Sequence, residues 1–303
     1  MHNQEPLKLL FVINPVSGGK EKHNWEASIR DYFKESPHSA EFYLLNGEND
    51  KRSLQHYIDS LSPDRVVAVG GDGTVKMVAE LVKETTISLG IIPAGSANGM
   101  AKELAIPDSI EEALKIIVEG SSEKVDIIRI NEEEICIHLS DIGLNAMLVK
   151  YFETSKNRGM WGYGKAIFRV LWEKQKMRVT ITIDEGTHKR KAYMVALANA
   201  RKYGTGANIN PDGNVSDGRF EVIVVRKLNV FEIIKAIFTD RSFHPDRIEV
   251  FPTTNVEMNI HRKAYFQVDG EYKGKISTVK ARIIPGAIHI MLPVTKNIEV
   301  ELA

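Results

Sequence analysis

Three times in its first hundred residues this chain carries a short apolar run into a glycine-bearing turn and then into a helical pattern. The runs are residues 7–14, 65–69 and 87–92, and helical periodicity follows at about 75–83 and 97–104. Repetition of strand, glycine turn and helix constrains the fold more than any other feature. It predicts a parallel sheet wrapped by helices, because parallel strands need crossover connections, and it places the turns at one edge of the sheet, where open α/β sheets bind ligands. A further helix is expected over 110–119, with Ser109 and Glu112 as a capping box and Gly120 at its end.

After Lys124 the pattern changes. In RVTITID, Val179, Ile181 and Ile183 alternate with polar residues, and in RFEVIVV the same period picks out Phe220, Val222 and Val224. Turns are expected at 131–134, 185–186, 217–218 and 269–270, the spacing of antiparallel hairpins. The chain has 303 residues, more than the ~100–200 of one core, so two domains are predicted. These are an α/β nucleotide-binding domain over 1–124 and a β-sandwich over 125–294. The sandwich is interrupted at 163–176, where Ile167, Val170 and Leu171 recur at helical spacing.

Basic and acidic residues balance at 40 each, which argues against a general nucleic-acid binder and makes any basic patch local. Cys136 is the only cysteine, which excludes an internal disulfide and a cysteine-built metal centre and fits a reducing compartment; its expected place is the core. The opening MHNQEPLKLLFVIN is too short an apolar run for a secretory leader or a bilayer span, so a cytoplasmic location is expected.

The three turns carry the chemistry. Gly70, Gly71, Asp72, Gly73 and Thr74 follow a Val/Ala strand and open a helix. Glycines admit phosphate oxygens close to the backbone, and the helix end offers unpaired N–H groups and a positive dipole. Asp72 is placed to reach a Mg²⁺ ion that accompanies a nucleotide, or to close a tight turn. Asn14, Pro15, Val16, Ser17, Gly18, Gly19 and Lys20 form the first turn, whose spacing is not that of a P-loop. The third runs Pro93-Ala94-Gly95-Ser96-Ala97-Asn98-Gly99, where Ser96 or Asn98 is either a helix cap or part of the same phosphate cradle.

Together, NPVSGGK, GGDGT and PAGSANGMAKEL, with NARKYGTGANINPDGNVSDGRFEV and FQVDGE further on, resemble the diacylglycerol kinase catalytic-domain superfamily over nearly the whole chain. The resemblance implies a Rossmann-like N-terminal domain, a C-terminal β-sandwich, and ATP and an acceptor lipid meeting between them. It implies that residues 295–303 return to the first domain and that homodimers are possible. ATP contacts are implied for Asn14 through Gly18, Gly70 through Thr74, and Ser96, with Asp72 organising the catalytic Mg²⁺. A second, structural Mg²⁺ is implied at Asn214, Asp217 and Arg219, whereas the residues by themselves read as an Asp-Gly turn. Asp126, in KVDI, matches a family acidic position that faces the cleft, or is an aspartate bonded at a strand end. Asp269-Gly270-Glu271 is expected to carry the base. The residues alone leave open which carboxylate takes the proton, and the resemblance implies Glu271 with Asp269 beside it.

The acceptor implied is a membrane lipid, diacylglycerol or a sphingoid base. Many bacterial diacylglycerol kinases have Asp where this chain has Gly99, and GSANG is closer to the string in sphingosine and ceramide kinases. A family Thr near 43–46 is replaced here by Leu44, Leu45 and Asn46. Peripheral membrane contact is expected through Trp161, Tyr163, Phe168 and Trp172, interspersed with cations, or else this stretch is an ordinary amphipathic helix. Other readings are a nucleotide kinase of the NAD kinase type and a sensor that binds without turnover.

Overall fold

The computed structural model describes residues 5–17, 24–153, 175–201, 209–227 and 247–294. The expected helix at 163–176 falls on residues outside these apart from its last two, as do the four docking aromatics, Gly18, Gly19, Lys20 and the 295–303 tail. The chain divides into two compact units, 1–124 with 288–303, and 125–287.

In the first unit, β1 (Lys8–Ile13), β2 (Ser39–Leu44), β3 (Arg65–Gly70) and β4 (Ser88–Pro93) form a parallel sheet in the order β4-β3-β1-β2. Burial explains their sequences: β3 and β4 are almost wholly buried and carry unbroken apolar runs, as a sheet covered on both faces requires. Helices α1 (Trp25–Phe33), α2 (Asp50–Leu61), α3 (Asp72–Val82), α4 (Gly99–Glu103) and α5 (Ile110–Glu119) connect the strands. From β1 the chain crosses to β2 on one side and then to β3 on the other, so the topological switch lies between β1 and β3. Their carboxyl ends are the expected ligand edge. The Ser109 hydroxyl accepts from the Glu112 N–H at the start of α5, as the capping box requires. At its end Gly120 is needed for space rather than for a left-handed φ: a Cβ there would lie 2.4 Å from the Leu292 carbonyl oxygen.

The second unit is antiparallel. It contains β5 (Ser121–Ile130) from Val125 on, β6 (Glu134–Cys136), β7 (Leu139–Gly143), α6 (Leu144–Glu153), β8 (Met177–Ile183), β9 (Gly186–Ala192), β10 (Met194–Ala198), β11 (Phe220–Val225), β12 (Ile248–Thr253), β13 (Asn255–Val268) and most of β14 (Glu271–Leu292). The last residues of β14 belong to the first unit and pair in parallel with β4, His289 opposite Ser88. Strand β13 is shared: Val256–Ile260 pairs with β8, and Phe266–Val268 pairs with β7. The expected alternation holds on β8, where Val179, Ile181 and Ile183 are buried and lie in one core with Phe220, Val222 and Val224. On β11 it fails. All six residues are buried, because Ile223 and Val225 join a second cluster with Leu139, Met194 and Ile209. A strand covered on both faces does not show its period.

Candidate functional site

The first unit brings its three turns together. The Asn14 N–H donates to the Val69 carbonyl (3.0 Å) and its Nδ2 to the Thr74 hydroxyl (3.5 Å), which ties the first turn to the second. Asn14 Oδ1 accepts from the Val16 N–H, an Asx turn that fixes Pro15. The Ala94 N–H donates to the Gly70 carbonyl (2.9 Å). The Gly71 and Gly95 backbones lie so close that a Cβ on Gly95 would stand 2.5 Å from the Gly71 Cα. Two glycine loops in backbone contact at strand ends leave a surface of peptide groups, which suits a polyphosphate. Gly73, Ser96, Pro15 and Val16 are exposed, and Val16 is 85% accessible despite being apolar. Thr74 is buried against this seam.

Asp72, expected to reach Mg²⁺ or to close a tight turn, braces the neighbouring loop. Helix α3 begins at Asp72 rather than near Val75, and the carboxylate accepts the N–H groups of Gly99 and Met100, both at 3.0 Å. It caps α4 and locks the second turn to the third. Both oxygens already hold a backbone donor, so Asp72 fits a loop brace first and a metal ligand only through its remaining lone pairs. Lys76, on α3 and 4% exposed, is a buried cation one turn beyond the glycines that the apolar helical pattern concealed.

The second unit builds a turn that presents a carboxylate. Asp269 and Gly270 have φ of 49° and 85°, the two positive values of a type I′ turn, and Val268 pairs with Glu271 across it. The Asp269 carboxylate does not point into solvent. It accepts the N–H groups of Ile137 (3.1 Å), His138 (2.9 Å) and Leu139 (3.2 Å), and the Cys136 thiol donates to it at 3.3 Å. Cys136 is therefore core, as expected, and also a partner of the turn. On the other side Gln267 accepts from the Gly270 N–H (2.7 Å) and donates to Asp141 (2.5 Å). Asp141 is fully buried on β7, just before α6, and accepts from the Ala146 N–H (2.8 Å) and the Asn145 amide (2.6 Å). Asp141 and Gln267 were not singled out from the sequence. The available signal was a carboxylate inside the apolar run IHLSDIG just before a helix.

Glu271 is the carboxylate left accessible. Its side chain is half exposed and pairs with Lys273 at 3.0 Å; Lys273 also meets Glu134 at 2.9 Å. Burial works to lower the Lys273 pKa, but its hydrogen bonds and charge attraction to Glu134 and Glu271 prevail and hold it above the ordinary lysine value.

At the implied second metal loop, Asn214 Oδ1 accepts from Ser216 and Asp217 Oδ1 accepts from the Arg219 N–H (3.0 Å), both Asx turns. Close by, burial raises the Glu221 pKa, and the charges of Asp217 and Asp212 add to the rise against the bond from Asn210. Carboxylate and carbonyl oxygens are the donors Mg²⁺ prefers, so Asp217 and the backbone of this loop are the groups that would hold one. Among the described residues no three His, Cys, Asp or Glu side chains form a metal cluster. Asp126 is 3% exposed and accepts the N–H groups of Gly218 and Gly286, both at 2.7 Å, so it is a hydrogen-bonded aspartate, placed midway along β5 rather than at a strand end.

Residues 8–130 match the diacylglycerol kinase catalytic domain, and residues 140–292 match the YegS C-terminal NAD kinase beta sandwich-like domain. A protein of Chromohalobacter salexigens named "Probable lipid kinase YegS-like" is 27% identical over 238 residues, 76% of either chain. One of Salmonella newport named "Probable lipid kinase YegS" is 25% identical over 262 residues, 80% of this chain and 84% of its own. The crystal structure of a diacylglycerol kinase from Bacillus anthracis shares the fold at a TM-score of 0.73, with 18% identity over 96% of this chain and 98% of the other. An NAD kinase from Archaeoglobus fulgidus in complex with ATP does so at 0.54, with 14% identity over 94% and 93%. Both structural likenesses speak for the fold. With one domain match on each unit and an ordered glycine cradle in the first, the chain belongs to the diacylglycerol kinase catalytic-domain superfamily, in the two-domain form that ends in a YegS-type β-sandwich.

Proposed function

We propose that this chain is an ATP-dependent lipid kinase that transfers the γ-phosphoryl group to a hydroxyl of a membrane lipid, with diacylglycerol as acceptor and phosphatidic acid as product. The observation that carries the reading is the division of chemistry between the units. The first offers glycine turns in backbone contact at a sheet switch point, and the second an accessible glutamate on a turn braced by its own aspartate.

In this reading the amides around Gly70–Thr74 and the Asn14 and Ser96 turns hold the nucleotide phosphates. The acceptor oxygen forms a bond to the γ-phosphorus as the bridging P–O bond to ADP breaks, and Glu271 takes the hydroxyl proton. Mg²⁺ bound with the nucleotide supplies charge neutralisation on the phosphates. Asp269 is a positioning residue: its lone pairs are engaged by three amides, and its part is to hold the turn so that Glu271 is presented. Lys273 fixes the glutamate's direction. The acceptor would be reached from the cytosolic side; among the described residues no helix is long and apolar enough to cross a membrane.

A second acceptor class, a long-chain base or ceramide, is favoured by Gly99. That position is buried with its N–H on Asp72, where many bacterial diacylglycerol kinases carry a carboxylate. The test is transfer of labelled γ-phosphate from ATP to diacylglycerol, monoacylglycerol, sphingosine, ceramide and NAD in mixed micelles. Label in diacylglycerol supports the proposal, label in sphingosine or ceramide moves it to the second acceptor class, and label in NAD alone, or in nothing, overturns it.

A further inference from the structure

On the second unit a cavity of about 630 Å³ is lined by Lys176, Arg178, Arg262, Lys263, Lys275 and His261, over a floor that includes Leu144, Met147, Met177 and Tyr265. No acidic side chain lines it among the described residues, in a chain whose charges balance exactly one for one overall. A second cavity, which shares Arg178 and His261 with the first, is lined by β8 and β9 residues, where Lys189 and Lys191 add to the same charge.

Two features show that this is built rather than accidental. Arg178 and Lys191 are exposed and sit directly opposite each other in the β8–β9 ladder, an arrangement of like charges that destabilises a sheet unless an anion lies over it. Next to them β13 breaks register with β14: the five steps from Asn259 to Ala264 match only two on β14, from Thr278 to Ile276. The bulge thrusts His261, Arg262 and Lys263 outward, all exposed. Of the lining residues, Lys275 lies 4.3 Å from the Tyr265 ring centroid, and Lys150, outside the lining, lies 4.8 Å from it. Burial works to raise the Tyr265 pKa, but the hydrogen bond with Tyr151 and these two cations leave it below the ordinary phenol value, a local sign of positive potential.

We infer that the β8–β9–β13 face is an electrostatic docking surface for anionic bilayers, with phospholipid phosphates over the cations and the apolar floor at the headgroup boundary. The choice of a membrane over a nucleic acid rests on the lipid-kinase reading and on the apolar floor beneath the charge. Basic residues near an anionic leaflet each add about fivefold to binding, and the attraction falls within a Debye length, so docking weakens with salt.

The experiment is co-sedimentation of the full chain with vesicles of phosphatidylcholine alone and of phosphatidylcholine with phosphatidylglycerol, at low and high salt. The wild type is expected on anionic vesicles only, and released by salt. The Arg178→Ala/Lys191→Ala/Arg262→Ala variant is expected to bind about 100-fold more weakly. A control lacking three cations elsewhere, Lys51→Ala/Lys280→Ala/Arg282→Ala, should keep the binding. Equal binding to neutral vesicles, an unaffected triple variant, or preference for a nucleic-acid duplex over anionic vesicles overturns the inference. Phosphoryl transfer to a short-chain acceptor in neutral detergent, run on the same proteins, separates the two readings. A wild type that docks but transfers nothing leaves the surface standing and removes the kinase, and a triple variant that transfers normally but does not dock supports both.

Discussion

The glycine turns of the first unit and the Asp-Gly turn of the second are both tight loops at strand ends, and they are held in opposite ways. The first are fixed largely by backbone, through hydrogen bonds from the Asn14 N–H to the Val69 carbonyl and from the Ala94 N–H to the Gly70 carbonyl and through Gly71 against Gly95, with the Asp72 carboxylate as one added brace. The second is fixed by side-chain charge, with three amides and a thiol on Asp269, and Gln267 anchored on the buried Asp141. A cradle made of peptide groups suits a ligand that brings its own charge. A turn built on a buried carboxylate network suits the delivery of a single group in a fixed direction.

The contrast makes the turn of the second unit the more fragile to a charge change. Asp269→Asn puts an amide donor among three backbone donors, and should cost about 2–4 kcal/mol, read as a lowered urea midpoint. In the first unit the weak point is volume. Gly95→Ala drives a methyl group into the Gly71 backbone and should open the seam, with a loss of about 100-fold in ATP affinity by calorimetry and little change in fold. Asp72→Asn keeps an acceptor for only one of two amides; a loss of about 1 kcal/mol, typical of a helix cap, is expected in thermal stability.

Least in size is the effect of Glu221. Its pKa is raised in the folded state, first by burial, so its favourable contribution is complete below the ordinary carboxylate pKa and is lost as pH rises through the higher folded value. Glu221→Gln should therefore raise the melting temperature near neutral pH and leave it unchanged under acid. A melting curve that rises equally at both pH values would show that burial, rather than ionisation, sets the cost.

Much of the first unit was legible because its determinants are local. The strand runs, the glycines that follow them and the Ser109 cap all act within a few residues. Even there the bracing bonds of Asp72 were not legible: its partners, Gly99 and Met100, lie 27 and 28 positions away, and no local pattern separates a brace from a ligand. In the second unit the type I′ turn was legible from Asp-Gly alone. The bonded state of Asp269 was not, because the amides that occupy it come from 130 to 132 positions away. Strand β11 hid for another reason: its second buried face is covered by residues from β7, β10 and the 209–220 loop, so its apolar run carries no mark of which face is which.

The claim that ties these parts together is that Glu271, and not Asp269, accepts the acceptor's proton while the first unit alone holds the nucleotide. It is tested most directly by single-turnover transfer of labelled γ-phosphate at saturating ATP with wild type and Glu271→Gln. The account predicts ATP affinity unchanged within about twofold and transfer slowed by roughly 10²–10⁴-fold. Transfer at the wild-type rate by a Glu271→Gln protein that binds ATP normally would contradict it.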